Sequence, residues 1–203
     1  MREFPILGKA DLDAQQRLLW DELTQGPRGF FVGGTYAKRL PDLYNAWLQF
    51  PEFGQIVLRL GDAIRARPEL PGKLRELVVL TASVRLGARV EYEFHVPFAR
   101  SEGLSEAVIT SIGNGTPPPF SHEAERMTYE ATLQLLKTGA LAEHTRTELM
   151  DTLGLPGLVQ LIAAVGLYAI TAFTTNVAKA GLTKDFSADS EKLKDFFAGK
   201  RSP

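Results

Sequence analysis

The sequence predicts an all-α fold, and three observations carry that reading. Apolar residues recur mostly at intervals of three and four, the period of a helix face. Gly and Pro fall where helices would end or begin, as at Gly26-Pro27, Pro68 with Pro71, and Gly87. One stretch, 88–101, does alternate like a strand, with Val90, Tyr92 and Phe94 between Glu91, Glu93 and His95. No partner strand is evident elsewhere. With Pro97 inside it and Gly103 closing it, the stretch reads as a helix with a local bend.

The elements follow in order. After an extended lead, Asp11 or Asp13 caps a helix with Leu18, Leu19, Trp20 and Leu23 on one side. Residues 25–29 stop it, and a loop with Gly33-Gly34 follows. A short helix over 42–50 turns Leu43, Ala46, Trp47 and Phe50 inward, and Pro51 ends it. The next, 52–66, carries an apolar stripe of Phe53, Ile56, Val57, Leu60 and Ile64. Pro71 suits the first turn of LPGKLRELVVLTASVRLG, for which Gly87 is the stop. Ser105 suits the N-cap of a short helix, and GNGTPPPF at 113–120 is a loop. Helices are expected over 121–137, 143–153 and 155–180, the last being the most apolar. The C-terminal third echoes 73–104 only faintly, which does not establish a repeat. The expected organisation is a single helical domain over 1–183, then a tail, 184–203. In the tail, Leu193, Phe196 and Phe197 would dock onto the body or a neighbouring subunit.

Composition narrows the function classes. The 203 residues carry a net charge of -1, which gives no field to gather nucleic acid or an anionic membrane. Cysteine is absent, so thiol nucleophiles, CxxC exchange, disulfides and thiolate metal sites are all excluded. The opening MREFPILGKADLDAQQ lacks an apolar signal-peptide core, which makes the cytoplasm the expected address. The longest apolar run, 158–173, is interrupted by Gln160 and falls short of the ~20 residues of a membrane span, so it reads as a buried helix. The GxxxxGK[ST] and GxSxG patterns are absent as well.

The residues that carry chemistry cluster in REL at 75–77 and GARVEYEFHVPFARSEGL at 87–104. Glu91 and His95 are four apart and share a helix face, where a carboxylate orients an imidazole for acid–base work. Glu76 lies on the preceding helix, and with Gly87 between them spacing does not place it beside the pair. The plainer readings are a surface pair for Glu91 and His95, and for Glu76 a surface charge or a buried ion pair with Arg75 or Arg85. His122 and His144 read as surface or capping residues, and no HExxH-like spacing marks a metal site. Glu76, Glu91 and His95 together nevertheless form a recognised metal-ligand set. Tyr92 and Phe94 would either pack or line the site, and Tyr36 and Arg39 are further pocket candidates. Tyr168 and Asn176, on the apolar C-terminal helix, need hydrogen-bond partners if buried.

The spacing of Glu76, Ala88, Glu91 and His95 resembles that of the carboxymuconolactone decarboxylase / alkylhydroperoxidase D-like family, whose redox members carry Glu, a CxxC and His. The chain is similar to the family's cysteine-free branch over about 40–182, most strongly over 68–104 and 158–177. The resemblance implies an all-α alkylhydroperoxidase D-like domain with a helical hairpin core, Glu76 close to His95, no cofactor, and a homo-oligomer (trimer or hexamer, with a dimer left open). Ala88 and Glu91 exclude peroxide reduction through a disulfide. What it leaves is a non-redox acid–base lyase, a decarboxylase or a relative, acting on a small carboxylated or lactone-like metabolite. In that reading His95 is the general acid, Glu91 orients it, and Glu76 positions substrate or tunes charge. Arg75, Tyr92, Arg100 and Tyr36 are the expected substrate-binding residues, with Arg85 and Arg89 as further cations to offset a substrate carboxylate. Two alternatives stay open: a metal-dependent enzyme using Glu76, Glu91 and His95, and a non-catalytic oligomeric protein that binds a small molecule. Neither a nucleic acid nor a membrane is expected as partner.

Overall fold

All regular structure among the described residues is helical. The computed structural model describes residues 4–26, 39–67 and 69–180. A 3-10 turn at Lys9–Asp11 precedes helices α1 (Ala14–Gln25), α2 (Asp42–Leu48), α3 (Pro51–Arg65) and α4 (Gly72–Arg85). Helices α5 (Arg89–Ser101), α6 (Glu106–Gly113), α7 (Glu123–Thr138) and α8 (Glu143–Val177) follow. The Gly33-Gly34 loop, Tyr36 and the tail 184–203 lie outside the described residues. By packing, the chain divides into two compact units: Met1–Leu60 with Thr174–Pro203, and Gly61–Phe173.

In the first unit, Asp13 caps α1 by accepting from the Gln16 backbone N–H, and the Gln16 side chain answers at the Asp13 N–H. Leu19, Trp20 and Leu23 are buried, whereas Leu18 points to solvent at 57% exposure. Asn45 of α2 ties down the N-terminal strand of chain, accepting from Leu7 N–H at 3.0 Å and donating to the Pro5 carbonyl at 2.9 Å. Two expected inward faces are only partly inward. Ala46, Trp47 and Val57 are buried, but Phe50, Phe53, Ile56 and Leu60 are exposed. Periodicity finds an apolar stripe without revealing what covers it, and here Phe50 and Phe53 stack on each other instead.

The second unit is organised around α4. Every residue from Leu74 to Ser83 is buried, so this helix has no solvent face. The chain reverses at Gly87, whose φ of 71° suits glycine, and α5 returns alongside α4. The strand-like alternation of 88–101 is thus helical, with Ala88 as N-cap. Leu77 and Leu80 of α4 form an apolar cluster with Tyr92, Ala99, Val108 and Ile112, which fixes the pitch of α5 and α6. Ser105 caps α6 through the Val108 N–H.

Helix α8 is two helices joined at Gly154, whose φ of 68° and ψ of 172° favour glycine strongly. Pro156 then opens the second part. By length and hydropathy alone α8 could cross a bilayer. Its buried side, however, carries polar groups with partners in the same unit. Gln160 accepts from Leu70 N–H at 2.9 Å and donates to the carbonyls of Ile64 and Arg67. One amide thereby satisfies the connector between α3 and α4. Gly157 permits the approach, since a Cβ there would sit 2.8 Å from the Glu69 carbonyl oxygen. The opposite side shows Leu155, Val159, Ile162 and Phe173 to solvent.

Candidate functional site

The helix with no solvent face carries two adjacent charges, Arg75 and Glu76, which must be paired where they stand. Glu76 is fully buried. Its Oε2 lies 2.8 Å from Nδ1 of His95 on α5, and its Oε1 accepts from Arg75 Nε at 3.3 Å. Arg75 also reaches Glu102 at 3.2 Å from its other end. Burial by itself would push the Glu76 carboxyl up. The facing His95 and the cations of Arg75 and Arg65 outweigh it and hold the group below its ordinary value. Glu76 is therefore a carboxylate at neutral pH, and an acceptor for Nδ1–H.

His95 is buried and wedged among rings. Phe98 lies 5.1 Å away centroid to centroid, Phe94 5.4 Å, and Tyr168 5.2 Å in an edge-on arrangement. Its second nitrogen, Nε2, is 3.4 Å from the Tyr168 hydroxyl, which comes from α8. That hydroxyl also accepts from Arg65, at the end of α3, at 2.7 Å. Burial raises the phenol most, Arg65 counteracts it, the Glu76 and Glu91 charges add to it, and the group is pushed up to about 12. The result is a continuous row, Glu76–His95–Tyr168–Arg65, supplied by four helices.

Glu91 is buried on the same helix as His95, near enough for its charge to act on Tyr168. It is Glu76, however, that holds Nδ1, the orienting role the sequence reading had given to Glu91. Tyr92 is turned away into the apolar cluster, its hydroxyl donating to the Ile109 carbonyl at 2.9 Å. Arg100 lies on the surface, paired with Glu106. Arg85 and Arg89 are likewise exposed, Arg89 with Glu93 at 2.6 Å. Of the expected substrate-binding residues, only Arg75 stands beside Glu76 and His95, and Tyr36 lies outside the described residues. Arg39 pairs with Asp42 on the surface. His122 and His144 are exposed at the starts of α7 and α8, and Asn176 is exposed too. Among the described residues no three His, Asp or Glu side chains converge as a metal-ligand set, so Glu76, Glu91 and His95 do not form one in this geometry.

Arg65 is the site residue that sequence reasoning did not single out. Its partner is Tyr168, 103 positions away, and nothing local marks the pair. Tyr168 did carry a signal, as a polar group on an apolar helix that needed a partner.

The carboxymuconolactone decarboxylase family model matches residues 51–115. That segment is similar to the family, and it includes Glu76, Ala88, Glu91 and His95, whose spacing carries the resemblance. It is a narrower span than the 40–182 of the resemblance. It runs from the start of α3 just past the end of α6 and contains Arg65, Glu76, Glu91 and His95, but not Tyr168. The all-α architecture agrees with an alkylhydroperoxidase D-like domain. No curated protein matches the chain.

Proposed function

We propose that this carboxymuconolactone decarboxylase-like protein is a non-redox acid–base lyase that decarboxylates a small carboxylated or lactone-like metabolite. The observation that supports the reading is the buried 2.8 Å contact between His95 Nδ1 and the Glu76 carboxylate. An oriented imidazole in a water-poor setting can move a proton, which is what quenching the carbanion left by CO2 requires. The cations of Arg65 and Arg75 offset the repulsion that Glu76 and Glu91 would exert on a substrate carboxylate. With no cysteine, the chemistry is proton transfer and not thiol exchange. The exposed row of Leu155, Val159, Ile162 and Phe173 supports self-association.

The test is CO2 release from 4-carboxymuconolactone and a panel of small carboxylated lactones, with His95→Gln beside the wild type. A drop in turnover of roughly 10²–10⁴-fold in the variant is expected. A wild type that releases no CO2 from any of them sinks the reading, and tight binding without turnover would instead mark a small-molecule-binding protein.

A further inference from the structure

We propose that Tyr168 is a catalytic acid–base residue, and that its phenol hands the proton to the substrate carbon, with His95 recharging it and Arg65 steadying its oxygen. The inference rests on the lyase reading and names a different atom as its donor. The direction of each hydrogen bond carries it. Arg65 can only donate, so at 2.7 Å it occupies a lone pair of the Tyr168 oxygen and leaves the phenol's own hydrogen free to point elsewhere. Glu76 can only accept, so Nδ1 of His95 carries the proton between them. In the ring's neutral form, His95 presents a lone pair at Nε2 and has no proton to give on the side facing Tyr168. The phenol hydrogen is then a mobile proton at that end of the row. Its 3.4 Å separation from Nε2 is long, so a substrate atom competes for it at little cost.

The arrangement is a carboxylate, an imidazole and a hydroxyl in line, the ordering that activates a hydroxyl in acyl-transfer triads. Here the hydroxyl is a phenol that stays protonated until needed. In the step, the bond from substrate carbon to its carboxylate breaks, CO2 leaves, and the electron pair remains on the skeleton as a dienolate. The Tyr168 O–H bond breaks as the new C–H bond forms. Neutral His95 then takes up a proton from water at Nε2 and passes it to the phenolate, which returns the ring to its Nδ1–H tautomer. One proton is consumed per CO2 released, with no oxidant or reductant. The two ends of the row also differ in origin. Arg65, Glu76 and His95 lie within the family-matched segment, whereas Tyr168 is supplied by α8 outside it.

Two measurements decide the matter. The first is the nitrogen NMR spectrum of His95 in the wild type, with the ring neutral. Protonation at Nδ1, with an Nε2 resonance that moves in Tyr168→Phe, is the expected result. An Nε2–H tautomer overturns the proposal whatever the substrate. The second is steady-state turnover of 4-carboxymuconolactone by Tyr168→Phe, which keeps the ring against His95 and removes only the oxygen. Expected is a fall in kcat of roughly 10²–10⁴-fold with KM within a few-fold. Unchanged kcat in a variant that unfolds at the wild-type temperature overturns Tyr168 as donor and leaves the lyase reading standing. A wild type without turnover defeats that reading instead, and the NMR result still settles the proton's place.

Discussion

Helix α5 has two buried sides that do opposite things. On one, Tyr92 and Ala99 enter an apolar cluster, and the Tyr92 hydroxyl is spent on the Ile109 carbonyl. On the other, His95 meets Glu76 and Tyr168, with Glu91 one turn away. Both sides exclude water to a similar degree, with Tyr92 at 8% and His95 at 4% exposure. Burial alone therefore does not mark a site. The difference is that the Tyr92 proton has a fixed acceptor on the backbone, while the protons around His95 sit between groups that can exchange them.

Removing a group from the charged side should cost most. Glu76→Ala leaves His95 and part of Arg75 buried without their carboxylate, and is expected to lower unfolding stability by about 3–5 kcal/mol in urea titrations. A loss near zero would mean that the pairing contributes nothing to the fold. The same carboxyl sets an acid limit. Because its folded pKa lies below its ordinary 4.5, its contribution is fully present above about 4.5 and is lost as pH falls through the lower folded value. In Glu76→Gln this part of the acid dependence should vanish. At the alkaline end, Tyr168 at about 12 against an ordinary 10 contributes stability that is complete below pH 10 and lost towards pH 12. Absorbance at the phenolate band should lose a late-titrating component in Tyr168→Phe.

On the apolar side the effects should be smaller and should leave the chemistry alone. Gly113→Ala would set a Cβ 2.3 Å from the Tyr92 oxygen, and overpacking of that kind costs about 1–3 kcal/mol. Tyr92→Phe gives up one hydrogen bond, about 1 kcal/mol, with turnover unchanged. A large loss of turnover in Tyr92→Phe would break the contrast between the two sides. Smallest of all, Arg100→Ala should shift neither the unfolding midpoint nor the kinetics, since both it and its partner Glu106 are exposed.

Much of this was legible in the chain. The helices fall close to where period and punctuation put them, down to Asp13, Ser105 and the break between 153 and 155, because caps and breakers act locally. The spacing of Glu76, Glu91 and His95 singled out the stretch in which Glu76 and His95 meet. It could not say which carboxylate holds the imidazole, because i, i+4 reasoning sees only one helix and Glu76 arrives through the turn at Gly87. Arg100 and Tyr92 were plausible for the same reason. They share the motif, but a helix rotates neighbours to different faces, and here one faces solvent and the other the core. Arg65 and Tyr168 meet only through tertiary packing, which no local period encodes.

Gln160 gives that packing a mechanical meaning. One side chain of α8 grips the end of α3 and the residues leading into α4, and Tyr168 stands two turns further along the same helix. A displacement of α8 would carry the phenol with it and pull on the end of α3, where Arg65 stands, and on the connector that leads to Glu76. The three hydrogen bonds of Gln160 thus tie the helix that supplies Tyr168 to the segment running from the end of α3 towards Glu76.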